Sequence, residues 1–506
     1  MAVPVAAAIA VAAVVVVNAW SGLMPGVGFW DTGEFQTVLP ILGTAHPTGY
    51  PTYVLIGWLA SLLLTPFGEP AFRINILSLL AVAGAAGLTV VLVRRLTASL
   101  AIGIATGLGL ALTPVVWANA TRADPHPLHL LFVALILLLL VGWEAARRSG
   151  SATADRWLVA AAAAFGLSAG NHSLTLLLAP PIGLYVLAVD PEIFRRPRLV
   201  ATCVISLVVA LGGVYLELPV RAGLIPAPLV YARPDTWDGF WSVVLAEQFR
   251  GSLSQPLDDL GRKAADLWAL AQGQLGIVAV LVPFGFVATL RRAPRYALLT
   301  GLAMVITVGF DASYSNADIN RYYLGPVLWA WTWVALLGAM AVDLIVAAWS
   351  ALARRGTMAP AVATASVIVA AALLLPSLQS LDASRRAADR HAVNDAARWL
   401  DDVLPRLGRD AVVVSWWSTS TPLWYSELVD GRRPDIDVID DRTIIDRGYG
   451  SANGAISAFL GTRPVYIIRA NPGDLAGVQA AYQLQIVAGS GSLAVYEVLG
   501  PVNGTG

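Results

Sequence analysis

Asp31, Glu34 and His46 stand close together in the stretch 30–51, which reads Trp-Asp-Thr-Gly-Glu-Phe at its start and His-Pro-Thr-Gly-Tyr-Pro at its end. Carboxylates and an imidazole are the side chains that take up and return a proton near neutral pH. If the segment is helical, Asp31 and Glu34 at i and i+3 lie on one face. Gly33, Pro47, Gly49 and Pro51 give the rest the irregular backbone of a formed loop, with Tyr50 inside it. Acids also cap helix amino termini, but capping does not account for the attached His-Pro-Thr-Gly-Tyr-Pro, so an acid–base role is the expectation. His46 suits either a site wall or the satisfaction of backbone groups in a tight loop.

The elements that must hold these groups are apolar. Hydrophobic residues make up 57% of the 506 and charged ones 13%, and the mean hydropathy is +0.67, which describes a polytopic α-helical membrane protein. Zero net charge offers no basic surface to nucleic acid, and the single Cys203 excludes an intrachain disulfide. Eleven apolar runs have the length of transmembrane helices, near 3–20, 72–93, 99–117, 127–146, 156–170, 173–189, 199–217, 271–290, 296–311, 322–348 and 358–376. The first lacks a basic leader and a small-residue cleavage site and reads as a retained anchor. The run at 53–64 is too short to span and suits an interfacial or re-entrant helix.

Arginines set the expected orientation. Arg94/Arg95, Arg147/Arg148, Arg195/Arg196/Arg198, Arg291/Arg292/Arg295 and Arg354/Arg355 fall in five connections that alternate with basic-poor ones, as the positive-inside rule requires of cytoplasmic loops. The other connections then face out: 21–71, 118–126, 170–172, 218–270, 312–321 and everything after 376. These loops and the span ends beside them hold Asp31, Glu34 and His46, then Arg122, Asp124, His126 and His129, then Asn171 and His172, then Asp318, Arg321 and Tyr322. Ionisable groups near a bilayer are costly and usually functional, although loops are also polar merely because they are wet. His126 and His129 are spaced as a metal pair on a helix, but no third ligand is near in sequence, and interface packing is the expectation. In 218–270, the aromatic run 233–241 precedes an amphipathic pattern at 245–249 that suits the outer leaflet.

From 380 the charges become frequent and the apolar runs shorten to strand length. We divide the chain into a membrane domain, 1–379, with its first outer loop at 21–71, and a soluble outer domain, 380–506. Strands are expected at 411–415, 436–439, 465–468 and 493–498, and helices at 394–404, 422–428, 452–459 and 474–482, which together make an open α/β sheet. No Gly-x-Gly-x-x-Gly follows the first strand, so no dinucleotide site is expected. That strand runs instead into Trp416-Trp417-Ser418-Thr419-Ser420-Thr421, at the strand end where such sheets bind ligands; tryptophans there suit sugar stacking or packing.

Asp-Thr-Gly-Glu-Phe at 31–35 with Leu-Gly-Thr-Ala-His-Pro-Thr-Gly-Tyr-Pro at 42–51 resembles the first-loop signature of bacterial membrane proteins similar to transmembrane protein O-mannosyltransferases, in the GT-C glycosyltransferase superfamily. Asp124-Pro-His-Pro-Leu-His129, Gly170-Asn171-His172, Pro422-Leu-Trp-Tyr425 and Arg433-Pro-Asp435 resemble further motifs of that family. Two positions depart from its pattern: Glu-Val-Tyr is replaced by Asp124-Pro125-His126, and an Asp-rich loop of the outer domain by 416–421.

The resemblance implies transfer of a sugar, mannose or another hexose, from a polyprenyl-phosphate donor to an acceptor hydroxyl on a protein Ser/Thr or a glycan, outside the cytoplasmic membrane. Asp31 is then the expected base and Glu34 its partner; Arg321, with Arg122 in reserve, is expected to bind the leaving phosphate. His46, Tyr50, Asp124, His129, Asn171, His172, Asp318 and Tyr322 would line the substrate pocket. No residue is assigned to a metal, and the resemblance leaves a divalent ion open. A transporter or flippase of lipid-linked glycans is the alternative; it would favour polar residues at mid-span and repeated halves, and here the charges sit at span ends. A sensor that binds ligand through 380–506 is a third reading.

Overall fold

The structure, a computed structural model, describes residues 2–253, 258–315, 318–352 and 358–502; Arg354 and Arg355 lie outside the described residues. Among these, seven helices are long and apolar enough to cross a membrane: Ala2–Trp20, Pro70–Thr97, His126–Arg148, Pro197–Leu224, Leu260–Arg292, Ile319–Ala351 and Ala359–Gln379. Pro114 bends an eighth candidate by 67° between Leu100–Leu112 and Pro114–Ala120.

Eleven spans were expected, and the other three fall on shorter or more polar helices. Asp155 and Arg156 occupy one end of Ala154–Asn171, and Arg295 and Asp311 the two ends of Pro294–Asp311, each of 18 residues. The stretch 173–189 divides into a 3₁₀ segment, Ser173–Leu178, and the 11-residue helix Ala179–Val189 with two prolines in its first turn. The run at 53–64 is a 13-residue helix, Pro51–Leu63, about 20 Å long and thus short of a ~30 Å hydrocarbon core. The amphipathic pattern expected at 245–249 is displaced: the helix is Trp237–Val244, with Trp237 75% exposed.

The described residues form two compact units. One comprises Met1–Leu23, Ser78–Tyr215 and Gln248–Asp389; the other comprises Met24–Leu77, Leu216–Glu247 and Arg390–Gly506. The sheet belongs entirely to the second unit.

That unit holds five strands, β1 Val412–Val414, β2 Asp437–Ile439, β3 Val465–Ile467, β4 Tyr482–Ala488 and β5 Val495–Pro501, in the order β2-β1-β3-β5-β4. β2, β1 and β3 run parallel, and β5 and β4 add antiparallel. Both faces are covered. Val413, Val438, Tyr466 and Ile468 pack with Trp399, Leu400, Leu423 and Tyr425, while Val412, Val414, Ile439 and Val465 pack with Ile444, Ala455 and Ile456. This explains why the central strand β1 reads as an unbroken valine run.

The first-loop segment shares the first of these cores. Val27 and Ala71 belong to it, and the Ala71 amide donates to the Tyr425 hydroxyl at 3.1 Å. The 24–77 segment and the sheet domain are therefore one packed body.

Candidate active site

Asp31 and Glu34 lie on the helix Trp30–Ile41, so the expected i, i+3 pairing holds. Phe29 at its N-cap makes no side-chain cap, and Glu34 is spent elsewhere, on His46. Gly33 between the two acids is required sterically: a Cβ there would stand 2.2 Å from the Gly28 carbonyl oxygen and 2.8 Å from the Thr421 hydroxyl. Gln36 fixes the approach. Its Oε1 accepts from the Gly28 amide at 2.8 Å, and its Nε2 donates to Asn75 Oδ1 at 3.0 Å and to the Gly26 carbonyl at 3.1 Å.

The helix ends at Leu42, whose left-handed conformation returns its amide to the Leu39 and Val38 carbonyls. The chain then folds back and delivers His46 to Glu34. The His46 amide donates to Glu34 Oε1 at 2.7 Å, and His46 Nδ1 makes a short hydrogen bond to Oε2. Gly49, at φ +82°, makes the turn that an L side chain would strain, and the Tyr50 hydroxyl meets His46 Nε2 at 3.3 Å. Phe35 packs against His46, Tyr50 and Tyr53 with ring centroids 5.2–5.6 Å apart.

Glu34 is 1% exposed. Burial raises its carboxyl above the ordinary value, the His46 contacts pull it partly back, and the charge of Asp31 adds to the rise. Asp31 is half-buried, and Trp417 Nε1 donates to its Oδ1 at 3.3 Å. The stretch 416–421, expected as a loop, is largely the first turns of the helix Trp417–Leu428, which places the Trp417 ring edge-on to His46 at 5.6 Å.

The remaining expected site residues gather in the other unit. Asp124 is 2% exposed and accepts from the His126 amide at 2.9 Å, from His126 Nδ1 at 2.6 Å and from Arg321 at 3.0 Å. Arg122 pairs closely with Asp318 and lies 3.9 Å from Asp124. Burial opposes the Asp124 charge, but His126, Arg321 and Arg122 overcome it and hold the carboxyl well below the usual carboxylate range.

Asn171 donates to the Pro125 carbonyl at 3.1 Å. His172 Nδ1 accepts from the Leu174 amide at 3.2 Å, which leaves its proton on Nε2. Burial, together with nearby His126 and His129, keeps this imidazole well below its ordinary value and neutral. His129 meets the Thr175 hydroxyl at 3.2 Å, and Tyr322 packs its ring 5.0 Å from His126 and 5.6 Å from His172. Among the described residues, no group of three or more His, Cys, Asp or Glu side chains is placed to hold a metal.

Sequence reasoning set His126 aside as interface packing, yet it is the main partner of Asp124. Its signal was present in the short Asp-Pro-His spacing, because a proline one residue ahead of the helix His126–Arg148 turns the carboxylate back onto the next side chain. Gln36, Asn75 and Trp417 were missed as positioning residues because their partners are distant in sequence. Arg433 does not join either cluster: it binds Asp435 and the carbonyls of Leu404, Leu407 and Gly408.

Residues 31–192 match the family described as the protein O-mannosyl-transferase TMEM260 N-terminal domain. The chain is 27% identical over 442 residues to protein O-mannosyl-transferase TMEM260 of Mus musculus, covering 83% of this chain and 60% of that protein; it thus spans less than two thirds of that relative's length. Its fold is similar to that of ArnT from Cupriavidus metallidurans, solved bound to undecaprenyl phosphate, with TM-score 0.61, 16% identity and 97% of each chain covered. It is also similar to the Archaeoglobus fulgidus oligosaccharyltransferase tethered with an acceptor peptide, with TM-score 0.56, 12% identity, and 99% of this chain and 74% of that one covered. Residues 31–192 are thus similar to the TMEM260 N-terminal domain, and the fold of the chain is similar to that of ArnT.

Proposed function

We propose that the chain is a membrane glycosyltransferase that moves a sugar, mannose or another hexose, from a polyprenyl-phosphate donor to an acceptor hydroxyl on the outer side of the cytoplasmic membrane. The observation that carries this reading is the pairing of a half-exposed Asp31 with a buried Glu34 that His46 holds. Both Glu34 oxygens already face His46, which leaves Asp31 as the base. Asp31 takes the proton of the acceptor hydroxyl, the acceptor oxygen bonds to the anomeric carbon, and the carbon–oxygen bond to phosphate breaks with its electron pair on the leaving polyprenyl phosphate. Trp417 and the Glu34–His46 pair orient this base. Arg321 and Arg122, on the 122–124 and 318–322 segments, suit the leaving phosphate, since a guanidinium binds its oxygens bidentately.

The fold that ArnT presents to undecaprenyl phosphate supports a lipid-linked donor, and the TMEM260 match supports sugar transfer. The test is Asp31→Asn in the full chain, reconstituted in liposomes with polyprenyl-phosphate mannose. Removal of a positioned base lowers rates by roughly 10²–10⁴-fold, so transfer should fall by that factor while the protein stays folded. Transfer at the unmutated rate would remove Asp31 from the mechanism.

A further inference from the structure

In the unit that contains 78–215, arginines near the span ends are tied together by ion pairs. Arg147 pairs with Asp190 at 2.7 Å, Arg148 with Glu144 at 2.6 Å, Arg196 with Asp155 at 2.5 Å and with Asp190 at 3.1 Å, and Arg295 with Glu144 at 3.1 Å. Arg95 differs from them. Among the described residues its side chain makes neither an ion pair nor a hydrogen bond, and its guanidinium lies over the Trp157 ring at 4.8 Å. We propose that Arg95, Trp157 and Gly142 form a site for the phosphodiester headgroup of an anionic phospholipid, independent of the transfer reading above.

Three helices build the site. Arg95 lies in the last turn of Pro70–Thr97, Trp157 in the first turn of Ala154–Asn171, and Gly142 on His126–Arg148. A Cβ at Gly142 would stand 2.6 Å from the Trp157 ring and 2.7 Å from Arg95 Nη1, so glycine is what lets the guanidinium settle against this backbone. An arginine in a last helical turn complements the helix dipole, but that role requires neither a glycine on one neighbouring helix nor an indole on another. Stacking fixes the plane of the guanidinium and leaves its N–H edge free to donate, and the residue is exposed.

Charge narrows the class of ligand. The edge of a guanidinium offers two parallel donors that match two phosphate oxygens, and basic sites between membrane helices take up anionic headgroups. Arg94 and Arg156, next in sequence to Arg95 and Trp157, likewise make no ion pair among the described residues. Asp155, the acid beside them in sequence, is taken by Arg196. A choline or ethanolamine headgroup would bring its own ammonium up to these guanidiniums and be repelled. Phosphatidylglycerol and cardiolipin present the phosphodiester without that charge.

The test is native mass spectrometry of the full chain, released from detergent after titration with dioleoyl-phosphatidylglycerol or dioleoyl-phosphatidylcholine. Phosphatidylglycerol should bind at least about tenfold more tightly, the ratio expected of one charge-assisted hydrogen bond. Arg95→Gln should abolish that preference, and Arg95→Lys, which keeps the charge without the planar fork, should lose most of it. Gly142→Ala, which drives Arg95 off the backbone, should also abolish it and covers the case of Arg95→Gln failing to fold. Arg195→Gln, at an exposed arginine paired with Glu192, should leave the preference intact. Equal binding of the two lipids, a preference that survives Arg95→Gln or Arg95→Lys, or the same loss in Arg195→Gln overturns the proposal. Displacement of phosphatidylglycerol by millimolar inorganic phosphate would overturn the lipid assignment and leave a site for the free anion.

Discussion

Two buried carboxylates in this chain each hold a histidine by its Nδ1, and they behave in opposite ways. Glu34 faces one imidazole and, three residues away, the like charge of Asp31; burial dominates and its carboxyl is raised. Asp124 is equally buried, yet one imidazole and two guanidiniums outweigh burial and its carboxyl is lowered. The pairs are alike, and the number of cations around them decides the sign. A carboxyl raised above its ordinary value is shifted towards proton exchange, whereas one held as an anion serves to hold cations in place. This is why we give proton chemistry to the 31–50 segment and anion binding to Arg122 and Arg321.

The same substitution at both sites should separate them most. Asp124→Asn leaves Arg321 and His126 facing a neutral amide in a buried setting, and breaking a buried ion pair costs about 3–5 kcal/mol. Glu34→Gln replaces a carboxyl that burial already disfavours as an anion; its amide oxygen still accepts from the His46 amide, and the change should stay within about 1 kcal/mol. Thermal unfolding in detergent reads both. Equal losses at the two positions would erase the distinction between them.

The pH dependence of those differences sharpens the contrast. The raised value of Glu34 means that its contribution to stability is fully present below the ordinary glutamate value of 4.5 and is lost as pH rises through its folded value. The lowered value of Asp124 means that its contribution is present above the ordinary aspartate value of 3.8 and is lost as pH falls through its folded value. Denaturant unfolding across pH should therefore show Glu34→Gln gaining on the unmutated chain as pH rises, and the deficit of Asp124→Asn shrinking in acid. A deficit of Asp124→Asn that grows in acid would mean that the aspartate is not the anion holding Arg321.

The local chemistry of the first loop was legible in sequence because it is written in neighbours: i, i+3 spacing put Asp31 and Glu34 on one helix face, and Pro47, Gly49 and Pro51 marked the irregular loop that holds His46. The strands at β1, β2, β3 and β5 were legible as short apolar runs. β4 was hidden in 474–482 and its sequel, although Leu484 and Ile486 alternate with Gln483 and Gln485 as an edge strand should. What stayed out of reach were contacts between distant segments. Nothing in 416–421 says that Trp417 meets Asp31, and nothing near Gln36 announces Asn75. Span counting diverges for a different reason: three of the eleven apolar runs carry Asp155, Arg156, Arg295, Asp311 or paired prolines at their edges and fall on shorter or more polar helices.

The smallest expected effect asks whether one hydrogen bond reaches the proton-handling side from the far end of the chain. Trp417→Phe keeps an aromatic ring near His46 but removes the N–H that Asp31 Oδ1 accepts. A single hydrogen bond is worth about 0.5–1.5 kcal/mol, or about two- to tenfold in rate, so transfer should drop by that factor with little change in unfolding temperature. Trp416→Phe is the paired control, because Trp416 Nε1 is buried with no hydrogen-bond partner among the described residues and its loss takes nothing from Asp31. A drop in transfer shared by both variants would mean that ring packing in the 416–417 segment, and not the hydrogen bond to Asp31, sets the rate; a drop confined to Trp417→Phe would tie the sheet domain directly to the base.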